Sequence, residues 1–226
     1  MFLFLKQSNK SLYSLTIKLM IITITISVFV CCRVLFTGSR SYFFLMWNVF
    51  LAWIPVYFSL VYTNHKFKWR FCQHIIGFLW LVFYPNAPYM LTDFIHLSQY
   101  SFFGNSSVNL AIWYDFFLIS MFVILGLVLG FMSLSVMHKY IEEKYNHILG
   151  WMFVFIISLL SGFAIYLGRF VRLNSWNVIT NPRCLINTIL VSFNFQTLGF
   201  VLLFGSLILM IYLTFFFVNQ YYSQNR

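Results

Sequence analysis

The chain has 226 residues, of which 62% are hydrophobic, 23% aromatic and only 8% charged. Soluble domains carry about 25% charged residues, so 14 Lys and Arg with 4 Asp and Glu cannot clothe a water-soluble particle of this size. A soluble enzyme and a disordered chain are excluded, and so is a nucleic-acid-binding domain, because the net charge of +10 is scattered rather than clustered; what remains is an all-α, polytopic integral membrane protein.

A helix needs about 20 mostly apolar residues to cross the hydrocarbon core. By that measure the sequence predicts six transmembrane helices, over about 12–34, 41–62, 70–90, 109–138, 148–171 and 196–218. The expected organisation is a short cytoplasmic N-terminus (1–11), a single membrane-embedded domain (12–218) and a cytoplasmic tail (219–226). The first helix includes Lys18, which can snorkel to the interface. Its apolar core runs into Val30-Cys31-Cys32-Arg33, where a signal peptide would present small residues for cleavage, so it reads as a retained span. The stretch 94–114 is polar and loop-like, with Gln99, Ser101, Gly104, Asn105, Ser106, Ser107 and Asn109. Residues 184–194 read as a re-entrant or interfacial piece. Cys31, Cys32, Cys72 and Cys184 form no C-x-x-C pattern and support neither a disulfide framework nor a thiolate metal site.

Positive residues favour the cytoplasmic side of a span. An internal N-terminus places Lys6, Lys10, Lys18, Lys66, Lys68, Arg70, Lys139, Lys144 and Arg226 inside, and Arg33, Arg40, Arg169, Arg172 and Arg183 outside. Both termini are then cytoplasmic. This topology also brings the end of helix three, the start of helix four and the end of helix five to the outer face. Those places hold Tyr84-Pro85-Asn86-Ala87-Pro88-Tyr89 with Thr92-Asp93 and His96, then Trp113-Tyr114-Asp115, then Gly168-Arg169 with Arg172, Asn174, Ser175 and Trp176. Pro85 and Pro88 each remove a backbone donor, which predicts a broken helix end beside a polar pocket. If a helix resumes after Pro88, Asp93 and His96 share a face, and Arg169 and Arg172 have the same spacing.

These three motifs, Trp80–Tyr89 with Asp93 and His96, Trp113–Asp115, and Tyr166–Phe170 with Arg172 and Asn174–Trp176, resemble those of the domain of unknown function 1361 family, over about residues 48–215. Asn177 stands where that family pattern often has an acidic residue. The resemblance implies a bacterial multi-pass protein of the plasma membrane and assigns no activity.

Two readings of the site follow from its chemistry. In the first, the protein acts on an anionic lipid or a polyprenyl-phosphate substrate at the outer leaflet. Asp93, His96 and Asp115 would be catalytic acid/base groups or ligands of a divalent metal such as zinc. Arg169 and Arg172 would clamp phosphate, with Asn86, Asn174 and Trp176 completing the substrate site. In the second, a non-catalytic lipid-binding or accessory protein uses Asp93 and Asp115 in a structural ion-pair network with Arg169 and Arg172. Trp113, Tyr114 and Trp176 also suit an interfacial aromatic belt. His65, His74, His138 and His147 read as interfacial polar residues, and Glu142 and Glu143 as part of a solvated turn. A transporter is disfavoured, since the polar groups gather at one face and the rest of the chain is apolar.

Overall fold

The computed structural model describes residues 10–64, 69–99, 110–173, 175, 180, 182–192 and 194–224. Among them the architecture is helical throughout: α1 (Lys10–Thr37), α2 (Phe43–Asn64), α3 (Arg70–Phe83), α4 (Asn86–Tyr89), a 3₁₀ segment (Met90–Gln99), α5 (Leu110–Lys144), α6 (His147–Phe170), α7 (Pro182–Val191) and α8 (Phe195–Gln224). Six stretches are long and apolar enough to cross a membrane: α1, α2, the run from α3 into the 3₁₀ segment, α5, α6 and α8. The stretch 184–194, expected as a re-entrant or interfacial piece, is largely covered by the short helix α7. The expected cytoplasmic N-terminal stretch falls, up to residue 9, outside the described residues.

The third span shows how proline shapes this fold. Pro85 ends α3, the chain resumes in the short α4, and Pro88 is followed by ten residues of 3₁₀ helix. Such runs rarely exceed three or four residues, and the carbonyls freed at the break need donors because lipid supplies none. At Tyr84 O the donor is the Ala87 N–H at 3.1 Å, and at two other carbonyls the donors are side chains. The Asn86 Nδ2 donates to Phe83 O at 2.8 Å, and the Ser175 hydroxyl donates to Val82 O at 3.2 Å.

α5 is the central helix. Its first half packs with α1, α2, Ala87 and Met90 around Val30, Leu45, Leu118, Ile119 and Phe122. Its second half packs with α3, α6 and α8 around Trp80, Leu134, Val154 and Tyr212. Membrane helices gain little from hydrophobic association, so close backbone contact at small residues carries more of the packing. A Cβ on Gly126 would lie 3.1 Å from Ala87 O, and one on Gly162 would lie 2.8 Å from Val201 O. The α4–α5 and α6–α8 crossings therefore require glycine. Outward positions on α1 and α8 carry exposed Ile24, Phe36, Leu203 and Met210, an apolar coat that suits lipid and not water.

Two expectations at the opposite end need correction. α5 continues through Glu142 and Glu143 to Lys144 instead of ending near 138, so both glutamates are helical. Lys139 and Glu143 sit one turn apart at 3.8 Å, which favours continuing the helix. His138, expected as an interfacial polar residue, is buried in the bundle and only 2% exposed. Its Nδ1 shares a 2.7 Å hydrogen bond with the Tyr212 hydroxyl, and its ring packs edge-on against Trp151.

Candidate functional site

The end of the bundle where α1, α3 and α6 finish holds most of the sequence's unusual polar residues, and they divide into three groups. The first centres on Asp115, in the first turns of α5 and 2% exposed. Arg33, near the end of α1, grips it with two parallel hydrogen bonds, Nε to Oδ1 at 2.5 Å and Nη2 to Oδ2 at 2.8 Å. The Tyr42 hydroxyl donates to the same Oδ2 at 3.1 Å, and the Arg33 guanidinium lies 4.2 Å from the Tyr42 ring centroid. A bidentate pair of this kind satisfies both carboxylate oxygens. It ties α1 and the start of α2 to α5.

The second group centres on Asp93, which is 1% exposed. The Asn48 Nδ2 donates to its Oδ2 at 2.8 Å, while Oδ1 is buried without a hydrogen-bond partner. Arg169, at the end of α6, lies within electrostatic reach. Its own donors go elsewhere, Nη2 to Thr92 O at 3.0 Å and Nη1 to the Tyr89 hydroxyl at 3.4 Å. The guanidinium thereby pins α6 to the 3₁₀ segment. His96 follows Asp93 by one 3₁₀ turn, so the two stand on the same side of the segment. The imidazole packs against Phe44 at 4.5 Å between ring centroids.

The third group borders a cavity of about 320 Å³ between α2, α3, α6 and α7. Its walls are mostly apolar, among them Leu51, Leu81, Ala164 and Ile165; its polar lining is Asn48, Asn86, Tyr89, Ser161 and Ser175. The Tyr89 ring approaches α6 closely at Gly168, where an added Cβ would lie 3.2 Å from it.

These placements revise the expected site. Asp93, His96 and Asp115 are not brought together as a set of metal ligands. Asp115 is held by Arg33 and Tyr42, and among the described residues no group of three His, Cys, Asp or Glu is placed to hold a metal ion. The expected pairing of Asp115 with Arg169 or Arg172 gives way to Arg33. Arg172 does not join Arg169 on a shared face, because α6 ends at Phe170 and Arg172 adopts a left-handed φ of 60°, the usual conformation of a residue just past a helix end. Arg172 is exposed. Asn86 works on its own helix break, and Asn174 and Trp176 lie outside the described residues. Trp113 is exposed, as an interfacial aromatic would be, whereas the Tyr114 hydroxyl donates to Phe29 O at 2.8 Å. Sequence reasoning missed Arg33, Tyr42 and Asn48 as partners. Asn48 was the most visible of them, a lone amide in the apolar run Phe43–Ile54.

Six apolar spans closed at one end by buried polar contacts define a multi-pass integral membrane protein. The family described as a protein of unknown function (DUF1361) matches residues 47–211, and the chain belongs to that family. No curated protein and no solved structure matches it.

Proposed function

We propose that this is a non-catalytic binding protein of the membrane, which holds an amphipathic, lipid-like molecule in the cavity between α2, α3, α6 and α7. The observation that carries the reading is the cavity itself, about 320 Å³ with apolar walls and a few polar groups. Ligand sites generally begin at about 300 Å³ and have this mix of lining; the small end of the range suits a single chain and its polar end. The charged groups support a structural role beside it, since Asp115 is held by Arg33 and the Arg169 donors are engaged by Thr92 and Tyr89. The Lys and Arg distribution supports internal termini, which puts the cavity in the outer leaflet. Extraction and mass analysis of the purified protein test the reading. An amphiphile retained by the wild type is expected to be lost from Ala164→Trp, whose indole fills the cavity. Equal retention by a folded Ala164→Trp protein overturns it.

One observation favours a second reading, an enzyme using Asp93 as an acid or base on a lipid-linked substrate. A buried carboxylate oxygen without a partner is costly, and Asp93 Oδ1 is such an atom. Asp93→Asn separates the two. The enzyme reading expects loss of turnover on lipid esters or phosphoesters in a variant as stable as the wild type. The binding reading expects the amphiphile to remain bound.

A further inference from the structure

We infer that the molecule in this cavity carries an uncharged hydrogen-bond-donating head, a hydroxyl or primary amide, and not a phosphate or carboxylate. The inference rests on the binding reading above and specifies its ligand. The lining carries no charged side chain: its polar groups belong to Asn48, Asn86, Tyr89, Ser161 and Ser175, with the indole of Trp47. Their donors are largely engaged within the protein. Both N–H groups of Asn86 are used, toward Phe83 O at 2.8 Å and Ser175 Oγ at 3.0 Å. The Ser161 hydroxyl donates to Ile157 O at 2.7 Å and the Ser175 hydroxyl to Val82 O at 3.2 Å. Asn48 gives one N–H to Asp93.

What these residues retain is mostly acceptor capacity, the Asn48 and Asn86 amide oxygens and the remaining lone pairs of the two serines, beside two donors, the second Asn48 N–H and the Tyr89 O–H. A carboxylate or a fully ionised phosphate accepts only, so it would meet acceptors in a site with few donors to offer. It would also lose its hydration without a counter-charge on the lining, which is far costlier than burying a neutral polar group. Arg169 is not among the lining residues; its guanidinium donates to Thr92 O and the Tyr89 hydroxyl, and its charge has the Asp93 carboxylate within electrostatic reach. A hydroxyl or amide head brings the missing donors and no charge. An ammonium head would bring donors as well, but with the same uncompensated desolvation.

A matched series with one chain and four heads tests this in nanodiscs: oleyl alcohol, oleamide, oleyl phosphate and oleylamine, read by native mass spectrometry. The alcohol and amide are expected to bind the wild type at least about tenfold more tightly than the phosphate or amine, and Ala164→Trp is expected to remove that binding. Ser161→Ala, which takes away one hydroxyl and little volume, is expected to weaken the alcohol and leave the phosphate unchanged. Equal or tighter binding of the phosphate or the amine, lost in Ala164→Trp, overturns the inference while leaving the binding reading intact. Binding of every probe that is indifferent to a folded Ala164→Trp overturns both. Should Ala164→Trp not fold, the wild-type ranking and the Ser161→Ala response decide: a phosphate or amine preference, or an alcohol affinity untouched by Ser161→Ala, rejects the head-group assignment.

Discussion

Arg33 and Asp115 are 82 residues apart in sequence and joined by two parallel hydrogen bonds, at 2.5 and 2.8 Å, inside the bundle. The pair clamps the end of the first span to the start of the fourth, with Tyr42 as a third partner. Its side chains are 11% and 3% exposed, so neither charge has bulk water to fall back on.

Breaking one side of such a pair leaves a buried charge, a loss of about 3–5 kcal/mol. Arg33→Met is therefore expected to lower the thermal unfolding midpoint in detergent sharply. Arg33→Met combined with Asp115→Leu is expected to recover most of the loss, because no charge is then stranded. A double variant as unstable as the single one would remove the ion pair from this account.

The break between α3 and α4 depends on Asn86 and Ser175. Asn86→Ala leaves Phe83 O without its side-chain donor and should cost about 1–3 kcal/mol. Ser175→Ala does the same to Val82 O. Because the Asn86 Nδ2 also donates to Ser175 Oγ, the double variant should lose less than the two single losses combined. Unfolding midpoints of the three variants measure this coupling.

Two glycines predict opposite outcomes for the same substitution. At Gly162 an added methyl group would lie 2.8 Å from Val201 O and 2.9 Å from Gly205 N, both backbone atoms of α8. Gly162→Ala is expected to force the helices apart and destabilise by about 1–3 kcal/mol. At Gly199 nothing lies within 4 Å, so Gly199→Ala is expected to be neutral or to gain up to about 1 kcal/mol in helix propensity. Equal effects at the two sites would refute the close α6–α8 contact.

Orientation is open to chemical labelling. On a background with Cys31, Cys32, Cys72 and Cys184 replaced, Arg172→Cys is expected to react with an impermeant maleimide from outside intact cells. Tyr145→Cys, in the exposed turn between α5 and α6, is expected to react only after permeabilisation. The reverse pattern would invert the topology and move the cavity to the inner leaflet.

The spans were legible because crossing a bilayer demands long apolar runs, and most of those runs are bounded by charged residues. The helix break was legible for a similarly local reason: two prolines three residues apart cannot sustain a regular helix. His138 shows the limit of that reading. Its neighbours Lys139, Glu142 and Glu143 suggested a solvated turn, yet α5 continues past it and α6 and α8 cover it with Trp151 and Tyr212.

The sequence alone determined an all-helical membrane protein, its six spans, its family motifs and the proline break, since each depends on residues adjacent in the chain. Only the tertiary structure decided which charges meet. Asp115 took Arg33 instead of Arg169 because a partner is chosen by which helix faces it, and helix rotation and neighbour order leave no local trace in sequence. The cavity belongs to the same class of fact. Asn48, Tyr89, Ser161 and Ser175 come from separate parts of the chain, and their use of donors and acceptors was fixed only when α2, α3 and α6 packed together.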